Sequence, residues 1–146
     1  NNSISSARLE RMLQATDVFL PSESELSLVF GTSSENDILT FILEQGVKQI
    51  WIKRGARGCE LVAGRKRISF PPVRVSVVDT TGAGDAYDGC IVWGYTKGFP
   101  VEQIGRYANA YAALSTENIG AGEVFPTLRQ FIKSPQYLAA KEGENA

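Results

Sequence analysis

The pattern of apolar and polar positions changes period twice between residues 73 and 98. Val75, Val77 and Val78 read as the end of a buried strand, a glycine-bearing turn follows at residues 81–84, and from Ala86 to Tyr95 the apolar residues fall at helical spacing. Lys97, Gly98 and Pro100 supply ordinary stop signals for that helix. A strand, a tight turn and a helix in that order bring backbone amides and side chains to one point, so chemistry is expected there.

Upstream, residues 6–13 carry apolar residues near one helical face, and residues 18–20 form a short apolar strand stopped by Pro21, which has no N–H for a ladder. Ser22 stands at an N-cap and Glu25 at the capping-box position, predicting a helix that continues through 26–30 and ends at Gly31. A second helix is predicted over 36–45, with Ile38, Leu39, Ile42 and Leu43 facing the core and Gly46 as its stop. Strands are predicted over 49–53, 59–63 and 66–70, the first two joined tightly through Gly55 and Gly58, the last two through Gly64. Pro71 and Pro72 reset the direction into 73–78.

Downstream, Pro100 opens a helix carrying Ile104, Tyr107, Ala108 and Leu114 toward Glu117. A loop over 118–122 follows, a last helix runs from Pro126 and Thr127 to about Ile132, and 139–146 reads as a fraying tail. Short strands alternating with helices predict an α/β domain of three layers, α/β/α. Its sheet is expected to be mostly parallel, with an antiparallel edge from the glycine hairpin and ligands beyond the carboxyl ends of the strands.

At the central turn Gly82 and Gly84 flank Ala83, so no bulky side chain bars an approach, and the three amides can converge on an anion at the helix N-terminus. Asp85 follows in the first helical turn, where the helix dipole favours a carboxylate and where it lies beside whatever the amides hold. That pairing suits an oxyanion cradle with a general base. It equally suits a tight turn followed by a capping aspartate, and the short string alone leaves both readings open.

Composition narrows the classes. The chain has 146 residues, 43% of them hydrophobic, enough for one domain with a real core. A net charge of -1 with mixed signs argues against a nucleic-acid surface, and no apolar run approaches the roughly 18 residues of a membrane span. The absence of histidine removes Ser-His and Cys-His catalysis. With it, the unsuitable spacing of Cys59 and Cys90 argues against a zinc site and for two reduced thiols in a cytoplasmic protein.

The longer string Asp79-Thr80-Thr81-Gly82-Ala83-Gly84-Asp85-Ala86-Tyr87-Asp88-Gly89 resembles the D-T-T-G-A-G-D-x-F-x-x-G signature of the ribokinase-like (PfkB-type) carbohydrate kinases. The resemblance runs from about Asp17 to about Phe131 and corresponds to the C-terminal half of such a protein, so residues 1–146 are expected to be the nucleotide-binding and catalytic part of a longer kinase domain. Sugar-recognition residues of the family lie mostly in the other half. The chain alone is therefore expected to lack sugar kinase activity, to bind nucleotide weakly and to associate through an exposed side.

What the resemblance implies is a ribokinase-like fold and an ATP- and Mg2+-dependent transfer of phosphate to an alcohol of a sugar or sugar-like compound. Asp85 would take the hydroxyl proton while the Gly82, Ala83 and Gly84 amides stabilise charge on the phosphoryl group. Residues 21–25 match the family's P-N-x-x-E, which organises the magnesium and phosphate environment largely through water. Glu25 is kept, and Ser22 stands in place of the asparagine with a shorter reach. Lys53, Gly55 and Gly58 fall on the strand end and glycine loop that lie along the nucleotide in the family. Asn109 falls beside the adenine, the plainer alternative being an asparagine on a helix surface. Residues 118–122 correspond to a loop that approaches Asp79 and Thr81 to form a monovalent-cation site, such as one for K+, in many members.

The expected partners are ATP and a small sugar or sugar-like substrate, with neither nucleic acid nor membrane, and a homodimer for the full-length protein. The G-A-G form of the turn favours the sugar and nucleoside branch over pyridoxal-type and hydroxymethylpyrimidine-type kinases, whose turn usually carries G-T-G. A rival of another class is a non-catalytic nucleotide-binding module; Ser22 points toward it and Asp85 away from it. A dinucleotide-binding oxidoreductase domain lacks support, because no G-x-G-x-x-G follows the first strand.

Overall fold

Hydroxyl-bearing residues sit at several helix starts, and the structure, a computed structural model describing residues 6–31 and 33–143, uses them as caps. Ser22, Ser34, Thr127 and Ser134 each accept a hydrogen bond from an amide of the helix they open, which satisfies a donor that has no partner inside the helix. In chain order the elements are α1 (Ser6–Gln14), β1 (Val18–Phe19), α2 (Glu23–Phe30), α3 (Glu35–Glu44) and β2 (Gln49–Lys53). A 3-10 turn (Gly55–Arg57), β3 (Cys59–Ala63), β4 (Lys66–Phe70), α4 (Ala83–Lys97), α5 (Val101–Ser115), α6 (Leu128–Phe131) and α7 (Pro135–Glu142) complete them.

The chain divides into two compact units, one running up to Arg54 and including Glu60–Ser69, the other comprising Gly55–Cys59 and the chain from Phe70 onward. The four strands follow one another in the order β1-β2-β3-β4. β1 and β2 pair in parallel, with Val18 opposite Gln49 and Phe19 opposite Ile50. The links from β2 to β3 and from β3 to β4 are too short for a parallel crossover, which takes about a dozen residues, so those pairings turn back on themselves. The sheet is therefore mixed, with a smaller parallel share than the sequence pattern suggests. Ile50, Trp51 and Ile52 are all buried, as in a strand covered on both faces. Leu13, Leu26, Ile38 and Ile42 from α1–α3 pack with Ile50 and Val62, each burial contributing about 1.5–3 kcal/mol.

In the second unit α4 packs against α5 at Gly94, and Gly105 of α5 makes room for Phe70. A Cβ on Gly94 would lie 2.7 Å from Ile104 Cγ1, and one on Gly105 would meet the Phe70 ring at 2.6 Å. An aromatic group closes the other side of α5, with Tyr107 stacked on Tyr137 at 4.7 Å and Phe131 edge-on to Tyr137 at 5.1 Å. Ala140 is buried and its carbonyl accepts from Arg106 Nε at 3.1 Å, so the chain after Ala139 continues as α7 to Glu142 where a tail was expected. Residues 144–146 lie outside the described residues.

The expected strand over 73–78 does not form. Val77 and Val78 are 60% and 57% exposed, and no strand among the described residues pairs with this segment. Branched residues favour a pleated surface but supply no ladder; that needs a neighbouring strand. The segment is tied instead at its end, where the Thr116 carbonyl beyond α5 accepts from the amides of Val78 at 2.8 Å and Asp79 at 3.1 Å. No helix among the described residues is long and apolar enough to cross a membrane.

Candidate active site

In the second unit the site is shaped by a backbone that only glycine adopts easily. Gly82 caps α4 in the left-handed region at φ 75°, and a Cβ there would stand 2.7 Å from both Ala121 Cβ and Phe125 Cζ. The chain enters α4 with the Gly82 carbonyl accepting from the Ala86 amide at 2.9 Å. The Ala83 amide donates to the Thr80 carbonyl at 3.1 Å, so one of the three amides proposed as a cradle is already engaged in the turn. Gly84 and Asp85 lie in the first turn of α4, both exposed, at the positive end of the helix dipole.

Asp85 lines an open groove of about 290 Å³ with Ala86, Gly89, Cys90, Trp93 and Tyr111 among its walls. A larger cavity of about 480 Å³ runs along Asn118 to Ser134 and lacks Asp85. The candidate chemistry thus belongs to the smaller one. Burial pushes the Cys90 thiol up to about 12, so it stands there as a neutral apolar wall, consistent with a reduced, packed cysteine.

Asp79 organises the turn just before Gly82. Its Oδ1 accepts from the Thr81 amide at 2.9 Å and the Thr81 hydroxyl at 2.7 Å, and its Oδ2 accepts from the Gly120 amide at 2.8 Å. These donors, the Thr81 amide first and the Gly120 amide second, hold its carboxyl below the usual carboxylate range. The loop over 118–122 is thereby brought to Asp79 and Thr81, as expected.

Two of the residues expected along the nucleotide meet at one peptide. A Cβ on Gly58, at φ 85°, would collide with the Phe70 carbonyl oxygen, and Asn109 Nδ2 donates to the carbonyls of Phe70 at 3.2 Å and Pro71 at 2.9 Å. Asn109 is 8% exposed, so it is no surface asparagine. Its amide nitrogen holds the chain in place, which leaves it less free for an adenine than the sequence suggests. Gly55 lies one turn before Gly58, whose amide donates to the Gly55 carbonyl at 3.0 Å.

In the first unit Ser22, Glu25 and Lys53 come together. The Ser22 hydroxyl accepts from the Glu25 amide at 3.2 Å and the Ser22 amide donates to Glu25 Oε2 at 2.6 Å, a complete capping box. The Ser22 amide is the main cause holding the Glu25 carboxyl below its usual range, and the charge of Lys53 acts in the same direction. Ser22 forms a parallel bridge with Lys53, whose amide donates to the Pro21 carbonyl at 2.8 Å. Sequence reasoning missed the charged group beside it. Arg54 donates to Glu23, Glu35 and Glu60, and Arg67 to Glu35, Glu60 and Asn36.

A profile of the pfkB family carbohydrate kinases matches residues 1–128, and the chain belongs to that family. A protein of Archaeoglobus fulgidus described as an uncharacterized sugar kinase is 37% identical over 122 residues, covering 81% of this chain and 47% of its own. Among solved structures, an E. coli protein described as ribokinase II, in complex with ATP and Mg2+, superposes with a TM-score of 0.78 at 31% identity, over 86% of this chain and 41% of that one. A Vibrio cholerae fructokinase in its fructose-, ADP- and potassium-bound form gives 0.75 at 25% identity, over 86% of this chain and 42% of that one. The fold is ribokinase-like α/β, and the chain spans less than half the length of each of these relatives.

Proposed function

We propose that this chain carries the phosphoryl-transfer part of an ATP-dependent kinase that acts on an alcohol of a sugar or sugar-like compound. The observation that carries the reading is Asp85, an exposed carboxylate in the first turn of α4 directly after the left-handed Gly82. In it, the acceptor hydroxyl gives its proton to Asp85 as its oxygen bonds to the γ-phosphorus, and the bond from that phosphorus to the bridging oxygen breaks to release ADP. The amides at the start of α4 stabilise the charge on the transferring oxygens. Lys53 adds a point charge suited to phosphate, and Gly55 and Gly58 let the backbone lie along the nucleotide.

Among the described residues no group of three or more His, Cys, Asp or Glu is placed to hold a metal. The one carboxylate that the 21–25 motif assigns to the metal, Glu25, fits Mg2+ carried mainly on nucleotide phosphates and water: it would be reached through water while its Oε2 stays on the Ser22 amide. When bound, Mg2+ supplies neutralisation of the phosphate charge. Asp79 and Thr81 are the residues that would face a monovalent cation. The names of the relatives favour a sugar over a vitamin as acceptor.

The test is Asp85→Asn in the intact protein. ATP affinity should stay close to the parent's while turnover falls on the order of a hundredfold to ten-thousandfold. An unchanged turnover number would sink the assignment.

A further inference from the structure

Arg54 follows Lys53 at the end of β2, and its side chain is 15% exposed. Its guanidinium works as a fork. Nη1 donates to Glu23 Oε1 at 2.9 Å, while Nη2 donates to Glu35 Oε1 and Glu60 Oε2, both at 2.7 Å. Glu23 and Glu35 are the first residues of α2 and α3, and Glu60 lies in β3, so one planar cation ties two helix starts to the sheet. Charge-assisted bonds of this length are among the stronger ones, and only arginine offers the geometry to make them together. Both carboxylates near helix starts are also favoured by the helix dipoles.

The place of Glu23 in the chain gives this knot a further use. Glu23 stands between the cap Ser22 and Glu25, and Ser22 itself bridges to Lys53. The start of α2 is thus pinned twice to the end of β2, once through the backbone and once through the Arg54 side chain. Arg67 provides a built-in comparison. It donates to Glu60 at 2.6 Å, to Asn36 at 3.0 Å and to Glu35 at 3.2 Å, so it shares two of Arg54's three carboxylates and takes Asn36 as its third partner.

We propose that Arg54 is a positioning residue that, through Glu23, fixes Ser22 and Glu25 against Lys53 and so sets the phosphate and metal side of the site. The role in catalysis rests on the kinase reading given above; the positioning itself does not. Arg54 touches neither substrate nor metal in this scheme. It acts by holding the cap to which the kinase reading assigns the phosphate and the metal.

The experiment compares Arg54→Gln, Glu23→Gln and Arg67→Gln in the intact protein, with amide hydrogen exchange at Ser22 and Glu25 as the first readout. Glu23→Gln leaves Arg54 and its bonds to Glu35 and Glu60 in place, so it keeps the test alive should Arg54→Gln fail to fold. Exchange at the two amides should rise about tenfold in Arg54→Gln and Glu23→Gln and stay within about twofold of the parent in Arg67→Gln. The second readout is kinetic: the first two variants should raise KM for ATP with Mg2+ several-fold more than they lower kcat. Equal exchange at Ser22 and Glu25 in all three variants would overturn the proposal, since a purely structural ion network would loosen evenly. A parent without phosphotransfer would overturn the kinase reading, while the exchange result would still decide the positioning claim.

Discussion

Around Ser22 and Glu25, position is held by side chains: a capping box, a neighbouring lysine charge and a fork of arginine bonds to three carboxylates. Around Gly82 it is held by the lack of one, in a backbone at φ 75° with Ala121 and Phe125 packed where a Cβ would stand. The first arrangement can be tuned, because each bond contributes a little and responds to pH and salt. The second is close to all or none, since a single methyl meets both conformational and steric resistance. Small steps are thus open to the arrangement around Ser22 and Glu25, and closed to the turn that carries Asp85.

The largest effect is expected from Gly82→Ala, which should lower stability by on the order of 2–4 kcal/mol, from left-handed strain together with the clash. Thermal or denaturant unfolding measures it. A transition unchanged from the parent would mean that the turn is as adjustable as the cap, and the contrast would fail.

Next comes acid. Hydrogen bonds from Arg54 to Glu35 and from Arg67 to Glu60 are the main causes holding these two carboxyls below their ordinary value of 4.5. A folded-state value that is lowered means that the unfolded chain binds the proton more readily. The contribution is therefore complete above 4.5 and is lost as pH falls below it toward the folded values. Denaturant midpoints should drop across that acid window, and Glu60→Gln should flatten the drop, with added salt acting in the same sense. An equal acid slope in parent and variant would remove the network from the account.

The smallest expected effect sharpens the comparison on its adjustable side. Ser22→Asn exchanges one good cap for another, so stability should move by no more than a few tenths of a kcal/mol. The magnesium dependence of turnover in the intact protein should shift, because an amide reaches further than a hydroxyl and can donate and accept at once. Superimposable magnesium titrations would confine Ser22 to its capping role.

How far the sequence revealed these features depended on how local their causes are. The box from Ser22 to Glu25 spans four consecutive residues and was legible; Thr127 and Gln130 form another with the same signature, which also could have been read. The turn at residues 79–85 was legible for the same reason. Asn109 was not, because the carbonyls it holds lie 38 and 39 residues away, and neither was Arg54, whose partners Glu23 and Glu35 are 31 and 19 residues distant. Residues 73–78 misled in the other direction: alternating valines declare a preference for extended chain, and a strand exists only where a partner completes the ladder. Helix α7 is hard to read from sequence although Ser134 and Pro135 mark its start, since its apolar residues fall at no clear helical period.

The bond from Val78 and Asp79 to the Thr116 carbonyl makes the length of α5 matter independently of its surface. One residue inserted into that helix would carry Thr116 about 1.5 Å along the axis and about 100° around it, away from both amides. Substitutions on the outer face of α5 would leave the carbonyl where it is. α5 thus works as a spacer bar, and the number of its residues sets the height at which Val78 and Asp79 are held before the turn that leads to Asp85.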